Sequence, residues 1–468
     1  MARYFYERLS HESAAVLAHE TSRHLGHAGA TLIFEAGPLS RPDGGIDFEA
    51  IRARIEAGLA RVPTYRRKLR RIPFENHPVW VDDREFNLDF HLRHTSLARP
   101  GTPEQLRGLA ARIHGQRLDR SRPLWECWIV EGLEGGRFAL LSKTHYALAD
   151  GNEPDLLDAV LSADAGEPCE PAEPFRPRPM PSAFELVRDE VVRGARLVEK
   201  AARRLRAPRP GERVASLRRR AESLAGLLGY ALRRGTETPL TGRVGPHRRF
   251  DFLALPLADA EQVRARRGGS LDDVVLAVTA GAAARYLAAH YVNPATLDFR
   301  VAVPLEERAA GGRGRVVERV LELPVWERDP LRRHDLVCAR TRAAGLGAAG
   351  GIAAPPEGAA FGSTRLLARA GRAIPMAPVN LAVANVPGAA AALYLHGACL
   401  VEAYGKISLR QSAALSVAVL RYADRLCWGF NADFDLVPDL PRFAEFTQAS
   451  FRELVHAARP RLALARAS

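Results

Sequence analysis

One stretch, from Phe138 to Tyr146, limits the fold more than any other part of the sequence, because it has the pattern of a buried β-strand that runs into a tight turn. In a strand, its even-numbered side chains would share one face and its odd-numbered side chains the other. Asp150-Gly151, a short distance further on, is a turn signal. The pattern therefore predicts a core strand that ends near Ala147, with His145 and Tyr146 adjacent to each other on opposite faces.

Helical and strand patterns alternate along the rest of the chain, which predicts a mixed α/β protein. Its 468 residues suffice for two domains with cores of their own. Apolar residues have the spacing or density of helices in five segments: 47–60, 102–117, 184–205, 271–291 and 439–459. Strand patterns occur in seven others: 125–130, 137–146, 250–255, 299–303, 319–323, 379–386 and 413–422.

Proline divides the chain into parts. Residues 166–181 are too rich in proline for a helix or a central strand, and we interpret them as an extended crossover. A capping box at Ser182 and Glu185 then starts a helix that ends before Pro208, and a second helix is predicted at 212–232. The predicted parts are an N-terminal domain at 1–165, a linker with basic amphipathic helices at 166–245, and a C-terminal domain at 246–468.

Composition and spacing argue against several classes of protein and site. No run approaches the roughly 18 apolar residues of a transmembrane helix, and residues 1–10 lack the apolar core of a secretory signal. The five cysteines are scattered and odd in number, which is typical of reduced thiols in a cytoplasmic protein. A GxGxxG match at 345–350 does not follow a strand, so we interpret it as a flexible loop. We expect neither a metal site nor a dinucleotide site.

Positive charge is concentrated in the predicted linker. The chain has a net charge of +13, and residues 182–234 contain 14 basic and six acidic side chains. Arginines on the polar face of an amphipathic helix fit an anionic lipid surface, although such a helix is often only packed on its own protein. Nucleic acid is not an expected partner, because no nucleic-acid-binding motif accompanies the charge.

The segment Lys143–Gly151 resembles the HHxxxDG motif of acyltransferases that use coenzyme A. Aligned on Asp150-Gly151, His145 is the first motif histidine and Tyr146 replaces the second. Further blocks, in the same order, are similar to those of the bacterial wax ester synthase/diacylglycerol acyltransferase family: Leu118–Glu126 around Pro-Leu-Trp, Pro239–Gly242, Leu271–Ala277, Asn385–Gly388 and Leu393–Ala398.

This resemblance implies two chloramphenicol-acetyltransferase-like domains that enclose an interdomain channel. It implies O-acyl transfer from acyl-coenzyme A to diacylglycerol or a long-chain alcohol, without a cofactor, by a cytoplasmic protein that associates with the inner membrane or lipid inclusions. The residues implied in catalysis are His145, Tyr146, Asp150 as a structural anchor, and Gly151. The residues implied in substrate binding are Pro123, Leu124, Trp125, Asp273, Asn385, Val386, Pro387 and Gly388.

The tyrosine at position 146 changes the chemistry that the motif can perform. In the family the second histidine is the general base, and an imidazole with a pKa of about 6.5 suits that task. A phenol has a pKa of about 10, and loss of a general base costs roughly 10²- to 10⁴-fold in rate. Tyr146 could instead donate a hydrogen bond to a developing oxyanion or be activated by a nearby cation. His145 could be the base if the strand has a bulge.

Structural alternatives stay open at each position. His145 could be a core histidine bonded to the backbone, Pro123-Leu124-Trp125 could be core packing, and Asn385–Gly388 could be a plain turn at the end of a strand. The alternative function is that of a catalytically impaired homologue, which binds acyl-coenzyme A or lipid or partners an active paralogue.

Overall fold

The computed structural model describes residues 4–42, 44–149, 155–169, 171, 173–206, 236–308, 314–345 and 379–459. The helix predicted at 212–232, the segment 346–350, and both Asp150 and Gly151 lie outside these residues. Helices and strands alternate along the part of the chain that is described, which confirms the predicted mixed α/β class.

The helices and strands have the following bounds. The helices are α1 His11–His19, α2 Phe48–Arg61, α3 Pro103–Gly115, α4 Leu156–Val160, α5 Ala183–Arg206, α6 Leu257–Arg267, α7 Leu271–Ala289, α8 Pro330–Ala343 and α9 Leu440–Ala458. The strands are β1 Glu7–Arg8, β2 His27–Glu35, β3 Arg67–Arg71, β4 Pro78–Asp82, β5 Leu92–Ser96, β6 Trp125–Leu133, β7 Arg137–His145, β8 Arg248–Pro256, β9 Arg300–Arg308, β10 Gly314–Glu322, β11 Leu381–Val386, β12 Tyr394–Leu395, β13 Ala398–Lys406, β14 Leu415–Tyr422 and β15 Arg425–Asp433.

Two six-stranded sheets form the framework. The N-terminal sheet has the order β12-β13-β2-β7-β6-β5, the C-terminal sheet has the order β10-β9-β11-β14-β15-β8, and a small third sheet has the order β1-β4-β3. Strands β12 and β13 come from the C-terminal half of the sequence, yet β13 pairs antiparallel with β2. Two strands of the predicted C-terminal domain 246–468 thus lie in the N-terminal sheet, and the division into 1–165, 166–245 and 246–468 stays a prediction.

Polar side chains cap the starts of three helices. The side chain of Asp47 accepts a hydrogen bond from the backbone at the start of α2, and Thr102 forms a capping box with Gln105 at the start of α3. Ser182 and Glu185 form the predicted capping box of α5. Each cap satisfies backbone N–H groups that the first turn of a helix leaves without partners.

The predicted linker starts as an extended strap across the small sheet. Arg178, in the proline-rich segment, donates through its backbone and its guanidinium to the carboxylate of Asp82 at 2.8–2.9 Å. Leu186 of α5 is fully buried against apolar residues of β4 and its neighbourhood, including Val79 and Val81. The strap thus leads the chain from the N-terminal part onto α5, whose first turns are packed on the small sheet.

A shared apolar core joins the two large sheets. This inter-sheet core contains Tyr404 of β13 and Phe252 of β8, whose rings stack with a centroid distance of 4.3 Å, together with Ala384 and Val386 of β11. A second core fills the other face of the C-terminal sheet, beneath α7 and α9. The C-terminal sheet is therefore buried on both faces, as continuous apolar strands predict.

The two halves approach each other very closely at a pair of glycines. A Cβ atom built on Gly429 of β15 would lie 2.0 Å from the carbonyl oxygen of Gly405 on β13. Only a residue without a side chain fits there, since both contacting groups belong to the backbone. This contact sets the distance between β13 and the C-terminal sheet.

None of the helices in the described ranges is both long enough and apolar enough to cross a membrane.

We expect Gly429→Ala to destabilise the protein by about 3 kcal/mol, the upper end for an overpacked core position, because the two backbones must separate. Gly108→Ala is the matched control, since it lies on the exposed side of α3 with no atom within 4 Å of the added Cβ. The control substitution should raise the free energy of unfolding by roughly 0.5–1 kcal/mol, because alanine has a higher helix propensity than glycine. Urea unfolding of both variants measures the difference, and equal stability of Gly429→Ala and wild type would contradict the close approach.

Candidate active site

The predicted strand and turn are buried beside the interface between the N-terminal and C-terminal halves, which we call the seam. Strand β7 ends at His145, short of the predicted end near Ala147, and Tyr146–Ala149 form a 3₁₀ turn. The pairing of β7 with β2 runs without a register shift from Arg137 to His145. No bulge therefore turns His145 toward the position of its neighbour.

The imidazole of His145 is locked inside the N-terminal half. Its Nδ1 accepts a hydrogen bond from the backbone N–H of Ala147 at 3.0 Å, which places the ring proton on Nε2. Nε2 lies 3.8 Å from the carboxylate of Glu20. A Cβ on Gly26 would lie only 2.6 Å from Nε2, so the glycine makes room for the ring. This arrangement favours the structural alternative for His145 over the role of a base.

Glu20 is the anionic partner that holds this region. Its buried carboxylate accepts two bonds from Arg120, at 2.6 and 3.0 Å, and one from the backbone N–H of Gly26 at 3.1 Å. Burial alone would raise the pKa of Glu20, but His145 and Arg120 together lower it to about 2. Glu20 is therefore ionised at neutral pH and connects α1, the start of β2 and the motif strand.

The side chain of Tyr146 reaches the segment that follows β13. Its oxygen accepts a hydrogen bond from the backbone N–H of Ser408 at 2.9 Å, and the side chain is almost fully buried. Burial raises the pKa of the phenol, while the bond from Ser408 and the charge of Arg410 act in the opposite direction. The phenol is therefore protonated at neutral pH, and it can donate a hydrogen bond but is a poor base.

The segment after β13 ties Tyr146 to the N-terminal sheet. The hydroxyl of Ser408 donates to the carbonyl oxygen of His27 at 3.0 Å, and the amine of Lys406 donates to the same oxygen at 3.4 Å. The backbone N–H of Tyr146 donates to the carbonyl of Gly26 at 2.8 Å. Three separate parts of the chain, around residues 26, 146 and 408, thus meet at the motif turn.

An ion pair lies close to this junction. Arg410 contacts the carboxylate of Glu318 on β10, and their side chains are only 9% and 6% exposed. The charge of Arg410 also acts on the Tyr146 phenol. Sequence reasoning missed Ser408, Arg410 and Glu318, because no motif contains them.

Buried titratable groups also lie on the face of the N-terminal sheet that carries His145. Burial lowers the pKa of His27, His114, Lys143 and Lys406. Lys143 donates to Glu126 at 3.3 Å. This face also meets the C-terminal half, since the ring of His114 packs edge-on against Phe250 of β8 at a centroid distance of 5.6 Å and the charge of Arg248 adds to the effect of burial on Lys406.

Trp125 and its neighbours lie in the interior of the N-terminal half. Pro123, Leu124 and Trp125 are all buried. The indole of Trp125 donates to the carbonyl oxygen of Tyr65 at 2.7 Å and stacks on His91 with a centroid distance of 4.7 Å. These contacts fit the packing alternative, and a substrate role for the three residues stays a prediction.

Asp273 is occupied as a helix cap. Its carboxylate accepts bonds from the backbone N–H and hydroxyl of Ser270 at 2.6 and 2.9 Å, and one from the hydroxyl of Thr341 at 2.6 Å. It thereby closes the N-terminus of α7 and joins it to α8. A direct contact of Asp273 with substrate stays a prediction.

The side chains of the Asn385–Gly388 segment lie on two different faces of the C-terminal sheet. The amide of Asn385 donates to Asp272 at the start of α7, on the face that the helices cover. Val386 points to the opposite face and belongs to the inter-sheet core, and Pro387 next to it is buried while Gly388 is partly exposed. Residues 386–388 are therefore nearer to the seam than Asn385 is.

Asp150 and Gly151 lie outside the described residues, so the anchoring role of Asp150 stays a prediction. Within the described part of the chain, no group of three or more His, Cys, Asp or Glu side chains could hold a metal ion.

We expect Glu20→Gln to lower stability at pH 7 by about 1–3 kcal/mol, the range for losing hydrogen bonds to a charged group. The folded pKa of about 2 is below the ordinary 4.5, so the carboxylate stabilises the fold fully above about pH 4.5 and loses this effect toward pH 2. The difference between variant and wild type should therefore shrink between pH 5 and pH 3 in urea unfolding. The exposed Glu134→Gln is the control, and a difference that does not change with pH would exclude an ionised Glu20 as its source.

Comparison with known proteins identifies the family. Residues 9–275 match the model of the wax ester synthase/diacylglycerol acyltransferase catalytic domain, and residues 348–455 match the C-terminal domain of the same family. The chain is similar to a probable diacylglycerol O-acyltransferase of Mycobacterium tuberculosis strain H37Rv, with 30% identity over 94% of this chain and 93% of the relative. A second probable diacylglycerol O-acyltransferase, from strain CDC 1551 of that species, is 34% identical over 55% of this chain and 96% of its own length.

Solved structures support the two-part architecture. The wax ester synthase/diacylglycerol acyltransferase of Marinobacter aquaeolei VT8 superposes with a TM-score of 0.63 at 21% identity, over 96% of this chain and 99% of that one. The first condensation domain of the calcium-dependent antibiotic synthetase superposes with a TM-score of 0.56 at 15% identity, over 98% of both chains. These likenesses confirm the predicted chloramphenicol-acetyltransferase-like fold. With family models matching both halves of the sequence, the chain belongs to the wax ester synthase/diacylglycerol acyltransferase family.

Proposed function

We propose that the protein transfers a fatty acyl group from acyl-coenzyme A to the hydroxyl of diacylglycerol or of a long-chain alcohol. The products are triacylglycerol or a wax ester, together with free coenzyme A. The observation that carries this proposal is the match of the catalytic-domain model to residues 9–275, which include the whole motif turn. The position of that turn beside the seam of the two halves supports it.

We assign to Tyr146 the role of a hydrogen-bond donor. Since its oxygen accepts the bond from Ser408, its proton can be donated in another direction, toward the carbonyl oxygen of the thioester. That oxygen becomes negatively charged when the acceptor hydroxyl attacks, and a preorganised donor in a buried site stabilises this charge. Asp150 and Gly151 would anchor the turn, and residues 386–388 would line the acyl site.

The second candidate is a catalytically impaired homologue that binds acyl-coenzyme A or lipid, or that partners an active paralogue. The raised pKa of Tyr146 favours it, because the group at the base position of the motif stays protonated. The two functions differ in one measurement: turnover of acyl-coenzyme A in the presence of an acceptor.

We also propose that α5 mediates reversible binding to an anionic lipid surface. Phe184 and Val191 are 76% and 67% exposed on this helix, although Leu186 is buried on the small sheet. Arg188 and Arg196 are exposed beside them. An exposed apolar strip bordered by arginines fits the boundary between lipid headgroups and acyl chains.

We expect Tyr146→His to raise turnover with palmitoyl-coenzyme A and diacylglycerol by roughly one to a few orders of magnitude, because an imidazole titrates near neutral pH and a phenol does not. Tyr146→Phe should lower turnover roughly 10-fold or more, since it removes the donated hydrogen bond. Release of free coenzyme A measures both variants.

His145→Ala is the comparison for these variants. It should reduce stability, because it removes the acceptor for the Ala147 N–H, but it should change turnover little once the variant is folded. Loss of a robust wild-type activity in His145→Ala, together with no effect of Tyr146→His, would show that His145 is the base. Acyl-coenzyme A binding without turnover in wild type and in all the variants would support the impaired homologue.

We expect co-sedimentation with vesicles of anionic lipid to weaken steeply as salt increases. The double variants Phe184→Ser/Val191→Ser and Arg188→Glu/Arg196→Glu should each reduce binding. Phe434→Ser and Arg264→Glu/Arg266→Glu are the controls, since they alter exposed residues of the C-terminal half. Equal vesicle binding by the α5 variants and the controls would show that α5 is only a solvated surface helix and does not bind lipid.

A further inference from the structure

We propose that Glu318 is the general base of this chain, in place of the histidine that the motif lacks. Its carboxylate would accept the proton of the acceptor hydroxyl while that oxygen attacks the thioester carbonyl. The inference rests on the proposed acyl transfer, and it names the catalytic group of that same site.

The strand register places Glu318 on the face of the C-terminal sheet that meets the N-terminal half. In β10, residues 318 and 320 share a face because strand side chains alternate. Val320 packs against the inter-sheet core, and it pairs with Ala302, which is part of that core. Glu318 therefore belongs to the seam and not to the helix-covered outer face.

Arg410 connects Glu318 with the motif turn. Its guanidinium contacts the carboxylate of Glu318, and its charge also acts on the phenol of Tyr146. Two residues earlier, the backbone of Ser408 is bonded to the oxygen of that phenol. The carboxylate of Glu318 and the hydroxyl of Tyr146 thus lie around the buried guanidinium of Arg410. A proton acceptor and a hydrogen-bond donor are the two groups that acyl transfer requires.

The environment of Glu318 suits proton transfer. Burial raises the pKa of its carboxyl above the ordinary range, although Arg410 acts in the opposite direction. A carboxylate whose pKa is raised becomes a stronger base. Arg410 is a positioning residue in this scheme, since it holds the carboxylate at the seam.

The step balances without any further reactant. The acceptor oxygen forms a bond to the carbonyl carbon, its proton moves to Glu318, and Tyr146 donates a hydrogen bond to the carbonyl oxygen. The bond from carbon to sulphur then breaks, and the coenzyme A thiolate takes the proton from Glu318. The carboxylate is regenerated, because a thiol with a pKa of about 8.5 holds a proton more tightly than a carboxyl group does.

A purely structural ion pair is the competing explanation for the same contacts. A buried pair often adds little net stability, so its presence alone does not favour structure over chemistry. Glu318→Gln separates the two explanations, since the amide keeps the shape of the side chain and can still accept a bond from Arg410, but it cannot take a proton. Glu322→Gln is the matched control, because Glu322 lies on the same strand and is exposed.

The test compares turnover of palmitoyl-coenzyme A with diacylglycerol in wild type, Glu318→Gln, Glu318→Asp, Glu322→Gln and the double variant Glu318→Gln/Tyr146→His. We expect Glu318→Gln to lose roughly 10²- to 10⁴-fold in kcat with little change in KM, and Glu322→Gln to match wild type. The double variant should regain part of the activity, because the imidazole supplies a base although the hydrogen bond donated by the phenol is lost. The kcat of the double variant should decrease at acidic pH with a pKa near 6.5, that of an imidazole. The kcat of the wild type should instead decrease as a carboxyl group becomes protonated.

Thermal unfolding and acyl-coenzyme A binding establish that each variant is folded. Wild-type turnover in folded Glu318→Gln would overturn the inference and leave the proposed function intact. A folded Glu318→Gln that is inactive and not rescued by Tyr146→His, while Tyr146→His alone is active, would also overturn it, since the loss would then not be that of a base. Absence of turnover in the wild type with every acceptor would instead refute the proposed function and the inference with it.

Discussion

The contact between Gly429 and the carbonyl oxygen of Gly405 is the constraint on which the rest of the structure depends. It lets the backbone of β15 approach β13 more closely than any side chain would permit. The segment that follows β13 then reaches both the hydroxyl of Tyr146 and the carboxylate of Glu318. One methyl group at this crossing would alter both junctions together, because packed interiors have little room to relax.

The motif turn gives two adjacent residues partners from different parts of the chain. His145 is enclosed by Glu20 and Gly26 within the N-terminal half, where its ring supports the turn. Tyr146 reaches the backbone of Ser408, 262 residues further along the chain. The side chain of His145 therefore serves stability, and that of Tyr146 serves the chemistry. A substitution at position 146 can change the chemistry without disturbing the contacts of His145 with Glu20 and Gly26.

Local features of this fold could be predicted from the sequence, and long-range ones could not. Ser182 and Glu185 form their capping box as predicted, because capping depends on residues three positions apart. The alternation in β7 was also visible, although the turn begins before the predicted end of the strand, at Tyr146. The place of β13 was missed, since a period of two shows that a strand exists but not which strand it joins. The bond from Ser408 was missed because a backbone amide leaves no mark in the sequence, and Glu318 was missed because a single buried charge is not a motif.

The exchange of β12 and β13 into the N-terminal sheet has a consequence for the synthesis of the chain. Strand β2 ends at residue 35, but the strand that covers its free edge ends at residue 406. At ribosomal speeds of about 5–20 residues per second, the edge of β2 lacks its native neighbour for roughly 20 to 75 seconds. An uncovered strand edge pairs readily with other chains. The nascent protein therefore spends most of its time on the ribosome with its first sheet unfinished, and its yield in a cell depends on how that edge is shielded until translation nears its end.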